Sequence, residues 1–322
     1  MQIQDVFRYY GEDLRHVEEC MESHLHSEIA LIPEIIYHLL GSGGKRFRPL
    51  LLLATSALCG YRGERRYSLA AMIEFIHTAS LLHDDVVDHA ETRRGKTSSN
   101  NIWGNAASVL VGDFLYSKSF KIMTEDGSLP ILKLLSTTTN TMSEGEVFQM
   151  VKSGDINITE KEYLLIIEKK TSTLISAACA VGGILGNNAS DAKIEALTRF
   201  GMRVGSAFQI TDDTLDYTAR EEEFGKAIGK DLEEGKITLP LIRTLKKCSP
   251  HERETIKQAV QQKGRSISDV VSLIHKYDGV NYALNKARSY ITEGKEFLAC
   301  FSDSEAKASL LTISDYIVER SA

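Results

Sequence analysis

The stretch LAAMIEFIHTASLLHDDVVD, residues 69–88, decides how the rest of the chain is read. Met72, Phe75, Ile76, Ala79 and Leu82 recur at three- and four-residue spacing, one stripe of an amphipathic helix. The run then passes without a break into Asp84-Asp85-Val86-Val87-Asp88. On a helix, Asp84 and Asp88 share a face about one turn apart. Three carboxylates in five residues repel one another, and aspartate is a mediocre helix former beyond the first turn. Such a segment calls for a neutralising partner. Hard divalent cations provide one, and carboxylates that leave coordination positions open suit Mg²⁺ shared with phosphate oxygens.

The same spacing returns at Asp212-Asp213-Thr214-Leu215-Asp216, again after an apolar run, Phe208 to Ile210. One such segment reads equally well as a solvated acidic face. Two copies make a different reading better: two carboxylate walls, with metal and a polyanion between them.

Outward from these segments, helical spacing continues, for example at Tyr163, Ile166, Ile167 and Leu174. Strand-like alternation over six or more residues is hard to find. The five prolines among 322 residues (Pro33, Pro49, Pro130, Pro240, Pro250) leave long stretches without the strongest helix breaker. The prediction is an all-α chain. Breaks are expected at Gly41-Ser42-Gly43-Gly44, from Asp126-Gly127 to Pro130, and at Gly186-Asn187-Asn188. The polar segment 218–236 is expected to be a mobile loop. No shift in composition divides the chain, so one domain spanning 1–322 is expected, with the helices of 1–40 part of it.

Charged residues make up 25% and the net charge is −6, which argues against a broad nucleic-acid surface. The five cysteines form no CxxC pair, so neither a zinc ribbon nor a disulfide framework is indicated, and a reducing cytoplasmic setting is expected. The N-terminus lacks a basic-then-apolar signal pattern. The longest clean apolar run, Leu50 to Ala54, is far too short for a transmembrane segment.

Cations answer the carboxylates. Lys45, Arg46 and Arg48 follow Gly43-Gly44, where the backbone can approach an anion. Arg93-Arg94 lies just past Asp88, at the expected end of that helix. Lys226, Lys230 and Lys236 punctuate the polar segment. Each group alone has a plainer account, through the helix dipole or through pairing with Glu221, Glu222, Glu223, Glu233 and Glu234. Together with two aspartate segments, diphosphate binding is the better one.

At this point the chain resembles the trans (all-E) polyprenyl diphosphate synthases, from near Gly43 to its end. The carrying segments are GGKRFRP (43–49), IHTASLLHDDVVD (76–88), RRG (93–95), WGN (103–105), VLVGD (109–113), KKT (169–171), FQITDDTLD (208–216) and GKAIGKDLEEGKITLP (225–240). Thr97 departs from the pattern, since relatives often have proline there. The resemblance implies a helical bundle of the isoprenoid synthase type with a central cavity and an elongation tunnel. Three Mg²⁺ would bridge Asp84, Asp88 and Asp212 to an allylic diphosphate such as farnesyl diphosphate, with Asp85, Asp213 and Asp216 in support. Arg93, Lys170, Lys226 and Lys236 would hold that diphosphate. Lys45, Arg48, His77 and Arg94 would hold isopentenyl diphosphate, with Phe208 bordering it. The carbonyl of Lys170, the hydroxyl of Thr171 and the amide of Gln209 would steady the allylic cation. A homodimer is also implied, with transient membrane association for product release.

Family resemblance supplies a ruler as well. Bulky aromatics at the positions of Ala79 and Ser80 stop growth at short products. Both residues are small here, which implies a long-chain product, C40 within a C30–C50 range. A short-chain synthase making farnesyl or geranylgeranyl diphosphate is the alternative. A terpene cyclase fits poorly, because its second motif usually carries serine and glutamate. A non-catalytic subunit fits poorly too, because all six aspartates are present.

Overall fold

The computed structural model describes residues 1–41, 43–186, 189–218, 229–262 and 267–319. It is 80% helical, as the spacing predicts. Backbone contacts divide the chain into two compact units. One comprises Met1–Thr139, Leu174–Thr198 and Cys300–Thr312, and the other Asn140–Thr173, Arg199–Ala299 and the residues from Ile313 onward.

The first unit is built on α5 (Arg65–Val87), a helix buried on nearly all sides from Arg66 to Leu82. Around it pack α2 (Gly11–His24), α4 (Phe47–Leu58) and α7 (Asn105–Asp126). Where α7 approaches, the His83 ring occupies the space beside Gly112: a Cβ there would lie 2.3 Å from its Nε2. Gly182, on α10 (Thr173–Leu185), plays the same part against α4, where a Cβ would meet the Thr55 hydroxyl at 2.0 Å.

All five prolines lie in the first turn of a helix. Pro33 is in α3 (Leu31–Leu40), Pro49 in α4, Pro130 in α8 (Leu129–Lys152), Pro240 in α13 (Leu239–Leu245) and Pro250 in α14 (Pro250–Gln261). In that turn the missing N–H has no intrahelical partner to lose. Scarce prolines therefore start helices here and interrupt none of those described.

One expectation is corrected. Arg93 and Arg94 do not end α5, which stops at Val87. They sit on a two-stranded hairpin, Thr92–Arg93 paired with Lys96–Thr97. Arg94 (φ 52°) and Gly95 (φ 76°) form its two-residue turn, a geometry that needs positive φ at both positions. The hairpin is clipped to the end of α3. Lys96 Nζ donates to the Gly41 carbonyl at 2.9 Å, and His38 Nε2 lies 2.8 Å from the Thr97 carbonyl.

In the second unit, α9 (Glu160–Ile167) starts on a reciprocal cap between Thr159 and Glu162. It runs into a π-helical turn, Glu168–Ser172. From α11 (Asp191–Thr218), Gly205 lets the chain press on that turn: a Cβ there would come within 2.6 Å of Cα of Ser172. The polar segment after α11 is not wholly irregular. Lys230–Glu233 forms a helical turn, α12, with Leu232 fully buried. Residues 219–228 of that segment lie outside the described residues.

Candidate active site

The first aspartate segment closes α5. Asp88 caps the helix, and its N–H donates to the Asp84 carbonyl at 2.8 Å, so the one-turn relation between the two is kept. Asp84 and Asp88 are half-buried, whereas Asp85 is fully enclosed. Asp85 Oδ1 accepts from Arg93 Nε at 2.8 Å and also from Nη2. Burial works against the Arg93 charge, but Asp85, and then Asp84 and Asp88, more than offset it and raise its pKa. The first motif and the hairpin cation are therefore tied together.

The same unit gathers the basic residues. Burial first, and then the charges of Arg48, Arg94, Arg93 and Arg46, push the His77 pKa well below 6.5. A neutral imidazole can donate one N–H to an anion and accept on its other nitrogen. The sign of its stability effect follows from linkage. The unfolded histidine takes up a proton below about pH 6.5 and the folded one does not, so the apoprotein loses stability as pH falls through that value. His77→Gln is expected to flatten that loss, by up to about 1.4 kcal/mol per pH unit. Thermal midpoints between pH 5 and 7 check it. An unchanged slope would mean that His77 titrates normally in the folded protein.

The second unit holds the other motif. Asp212 is exposed, Asp213 buried and Asp216 half-buried. Tyr163, on α9, donates its hydroxyl to Asp213 Oδ2 at 2.6 Å. Gln209 Nε2 donates to Asp213 Oδ1 at 2.7 Å, and the Thr171 hydroxyl donates to Gln209 Oε1 at 2.8 Å. Thr171, Gln209 and Asp213 thus form one chain of hydrogen bonds. Burial pushes the Asp213 carboxyl up to about 6; the Tyr163 and Gln209 bonds pull the other way, and Asp212 adds to the rise. Asp216 turns to the backbone: its carboxylate accepts from the N–H groups of Lys230 (3.2 Å) and Asp231 (3.1 Å) and fixes the start of α12.

Lys170 lies in the π-helical turn and bonds Glu146 at 2.7 Å. Such turns displace backbone carbonyls from the regular helical pattern and recur at functional sites. Lys236 bonds Glu234 at 2.6 Å. Phe208 is half-buried on α11, and Lys226 lies outside the described residues. Ala79 is fully buried on α5; Ser80 beside it is half-buried and donates its hydroxyl to the His77 carbonyl at 2.8 Å. Lys45 and Arg48 flank Arg46 at the start of α4.

Three further residues matter: Tyr163, Asp231 and Glu74. Asp231 is raised well above the usual carboxylate range by burial, then by Asp213 and Asp216. Glu74 precedes His77 by three residues on the same helix face, and Asp231 lies within the 225–240 segment.

Among the described residues, no three His, Cys, Asp or Glu side chains form a group that holds a metal unaided. An all-carboxylate donor set nonetheless fits Mg²⁺, which typically takes one or two protein carboxylates and completes its shell with phosphate oxygens and water.

An all-α chain with paired aspartate segments and basic turns has the form of an isoprenoid synthase. The polyprenyl synthetase profile matches residues 29–277, and the chain belongs to that family. Octaprenyl diphosphate synthase of Escherichia coli is 36% identical over 322 residues, 99% of this chain and 99% of that one. A geranylgeranyl diphosphate synthase of Methanosarcina mazei is 37% identical over 301 residues, 89% and 90% of the two chains. Among solved structures, polyprenyl synthase from Caulobacter crescentus, complexed with calcium and isoprenyl diphosphate, aligns with a TM-score of 0.95 and 38% identity over 100% of this chain and 98% of that one. The family consists of transferases that condense isopentenyl diphosphate onto an allylic diphosphate.

Proposed function

We propose that this chain extends an allylic diphosphate, farnesyl diphosphate among the candidates, to an all-trans polyprenyl diphosphate of about C40, acting as one catalytic domain. The observation that carries the chain length is the pair of small residues, Ala79 and Ser80, in the two turns before Asp84. Full-length similarity to an octaprenyl synthase supports it. The short-chain alternative keeps one argument, a comparable identity, 37%, to a geranylgeranyl synthase over 89% of this chain.

Asp84, Asp88 and Asp212 hold Mg²⁺ in this reading, three ions by family expectation, with Asp85, Asp213 and Asp216 in support. Bound there, the metal neutralises the diphosphate and makes it a better leaving group. Arg93, Lys170, Lys226 and Lys236 bind the oxygens of the same group, so negative charge developing on the departing pyrophosphate meets fixed cations. The Lys170 carbonyl, the Thr171 hydroxyl and the Gln209 amide turn their negative ends toward the allylic cation. Lys45, Arg48, His77 and Arg94 orient isopentenyl diphosphate, and Phe208 borders its carbons. Its double bond attacks C1 of the cation, and the released pyrophosphate takes the proton.

We further place the protein in the cytoplasm as a homodimer. Five cysteines without a CxxC pair fit a reducing setting. Val109, Leu110 and Phe120 expose an apolar face along α7 that a second copy can cover. No described helix is long and apolar enough to cross a membrane; product release at a membrane surface is part of the same proposal.

Incubation of the purified chain with farnesyl and isopentenyl diphosphates and Mg²⁺ tests the reading. Chromatography is expected to show products near C40. Products confined to C15 or C20 would establish the short-chain alternative, and no elongation would overturn both.

A further inference from the structure

Four arginines act on His77 in the first unit, and their mutual repulsion must be met before any anion arrives. Two buried carboxylates of that unit meet it. Asp85 takes Arg93. Glu74 is 6% exposed and accepts from Arg46 Nη1 at 3.3 Å. Arg46 is itself almost enclosed, with Glu18 3.4 Å from its Nε.

The backbone explains why this pair matters. Arg46 has φ 45°, a left-handed conformation that a β-carbon disfavours, and it sits between Lys45 and Arg48. Gly44, two residues earlier, has φ 156°, and a Cβ there would lie 2.9 Å from Arg94 Nη1. The hairpin arginine therefore rests against the backbone of this turn. Burial lowers the Arg94 pKa; Glu74 opposes the shift, and Arg93 and Arg46 add to it. One buried carboxylate thus holds the turn through Arg46 and supports the hairpin cation through space.

We propose that Glu74 is a positioning residue for isopentenyl diphosphate, holding the cluster of Lys45, Arg48, His77 and Arg94 assembled before the diphosphate binds. It touches no substrate and acts through Arg46 and Arg94. This rests on the reading of that cluster as the isopentenyl diphosphate pocket. The second substrate brings no metal of its own in that reading, so its pocket needs cations already in place, and cations in place need a counter-charge away from the ligand.

Glu74→Gln keeps the shape and removes the charge. Its KM for isopentenyl diphosphate is expected to rise about tenfold or more, with the KM for farnesyl diphosphate and kcat within about threefold of wild type. Arg46→Gln gives the same selective rise by a second route. The double variant, with both charges gone, is expected to be little worse than the more impaired single variant, because the two effects share one interaction. A structural role alone would lower thermal stability and move both KM values together. Arg48→Ala separates the two failures. If it raises the KM for isopentenyl diphosphate and neither Glu74→Gln nor Arg46→Gln does, the positioning role is overturned. If none of the three does, the pocket assignment is wrong.

Discussion

Asp84→Ala is expected to lower kcat about a thousandfold or more at saturating Mg²⁺, with little loss of thermal stability. Asp85 is enclosed and bonded to Arg93, so in the proposed site the first segment would coordinate through the half-buried Asp84 and Asp88. Each group that stabilises charge developing on a leaving group is typically worth about a hundred- to a thousandfold in rate. Removing Asp84 also misplaces the cation for the remaining ligands, so the upper end is expected; a thousandfold is about 4 kcal/mol of barrier. Stability behaves differently. Three carboxylates in five residues repel one another, and deleting one relieves that repulsion in the metal-free protein. The stabilisation gained on adding Mg²⁺ with inorganic pyrophosphate, a mass-action effect, is expected to shrink in the variant. Steady-state kinetics and thermal midpoints with and without these ligands check both parts. Near-normal turnover would reject the metal role of the first segment.

The all-α fold was legible because its signals are local. Helical spacing runs through residues 69–88, and five prolines leave long stretches without a helix breaker. The hairpin at 92–97 was not legible, since two-residue strands are too short for alternation to register, and Arg93-Arg94-Gly95 reads as naturally as a helix end. Nor was the π-helical turn at Glu168–Ser172 legible: it packs closely on Gly205 and Gly145, which are distant in sequence, and no periodicity marks it. The aspartates were visible from spacing alone, but their division of labour was not. Asp85 pairs with Arg93, Asp213 with Tyr163 and Gln209, and Asp216 with the backbone of α12. Gln209 is only four positions from Asp213, but the other partners lie 8 to 50 positions away in the chain, beyond the reach of a local pattern. Lys226 falls outside the described residues, and its assignment rests on the resemblance.

Introducing an aromatic before Asp84 is expected to shorten the product from about C40 to C20 or less. Ser80 precedes Asp84 by four residues and Ala79 by five, so both lie about one helical turn from the carboxylate. A turn advances about 5.4 Å, comparable to one isoprene unit, and an aromatic ring there blocks a chain that has grown only a few units. The two positions are not equivalent in this structure. Ala79 is fully buried, so Ala79→Tyr must displace packed neighbours, at a cost of about 1–3 kcal/mol. Ser80 is half-buried, and its hydroxyl bonds to the carbonyl three residues back, so Ser80→Phe gives up one short local bond and retains more stability. Ser80→Phe is therefore the sharper probe. Its products are expected to stop at C15 to C20 with turnover per condensation within about tenfold of wild type, because the diphosphate groups are untouched. Chromatography of dephosphorylated products, beside thermal midpoints of both variants, makes the measurement. If both variants fold, condense and still reach full length, the chain does not grow past this face of α5, and its small residues serve helix packing alone.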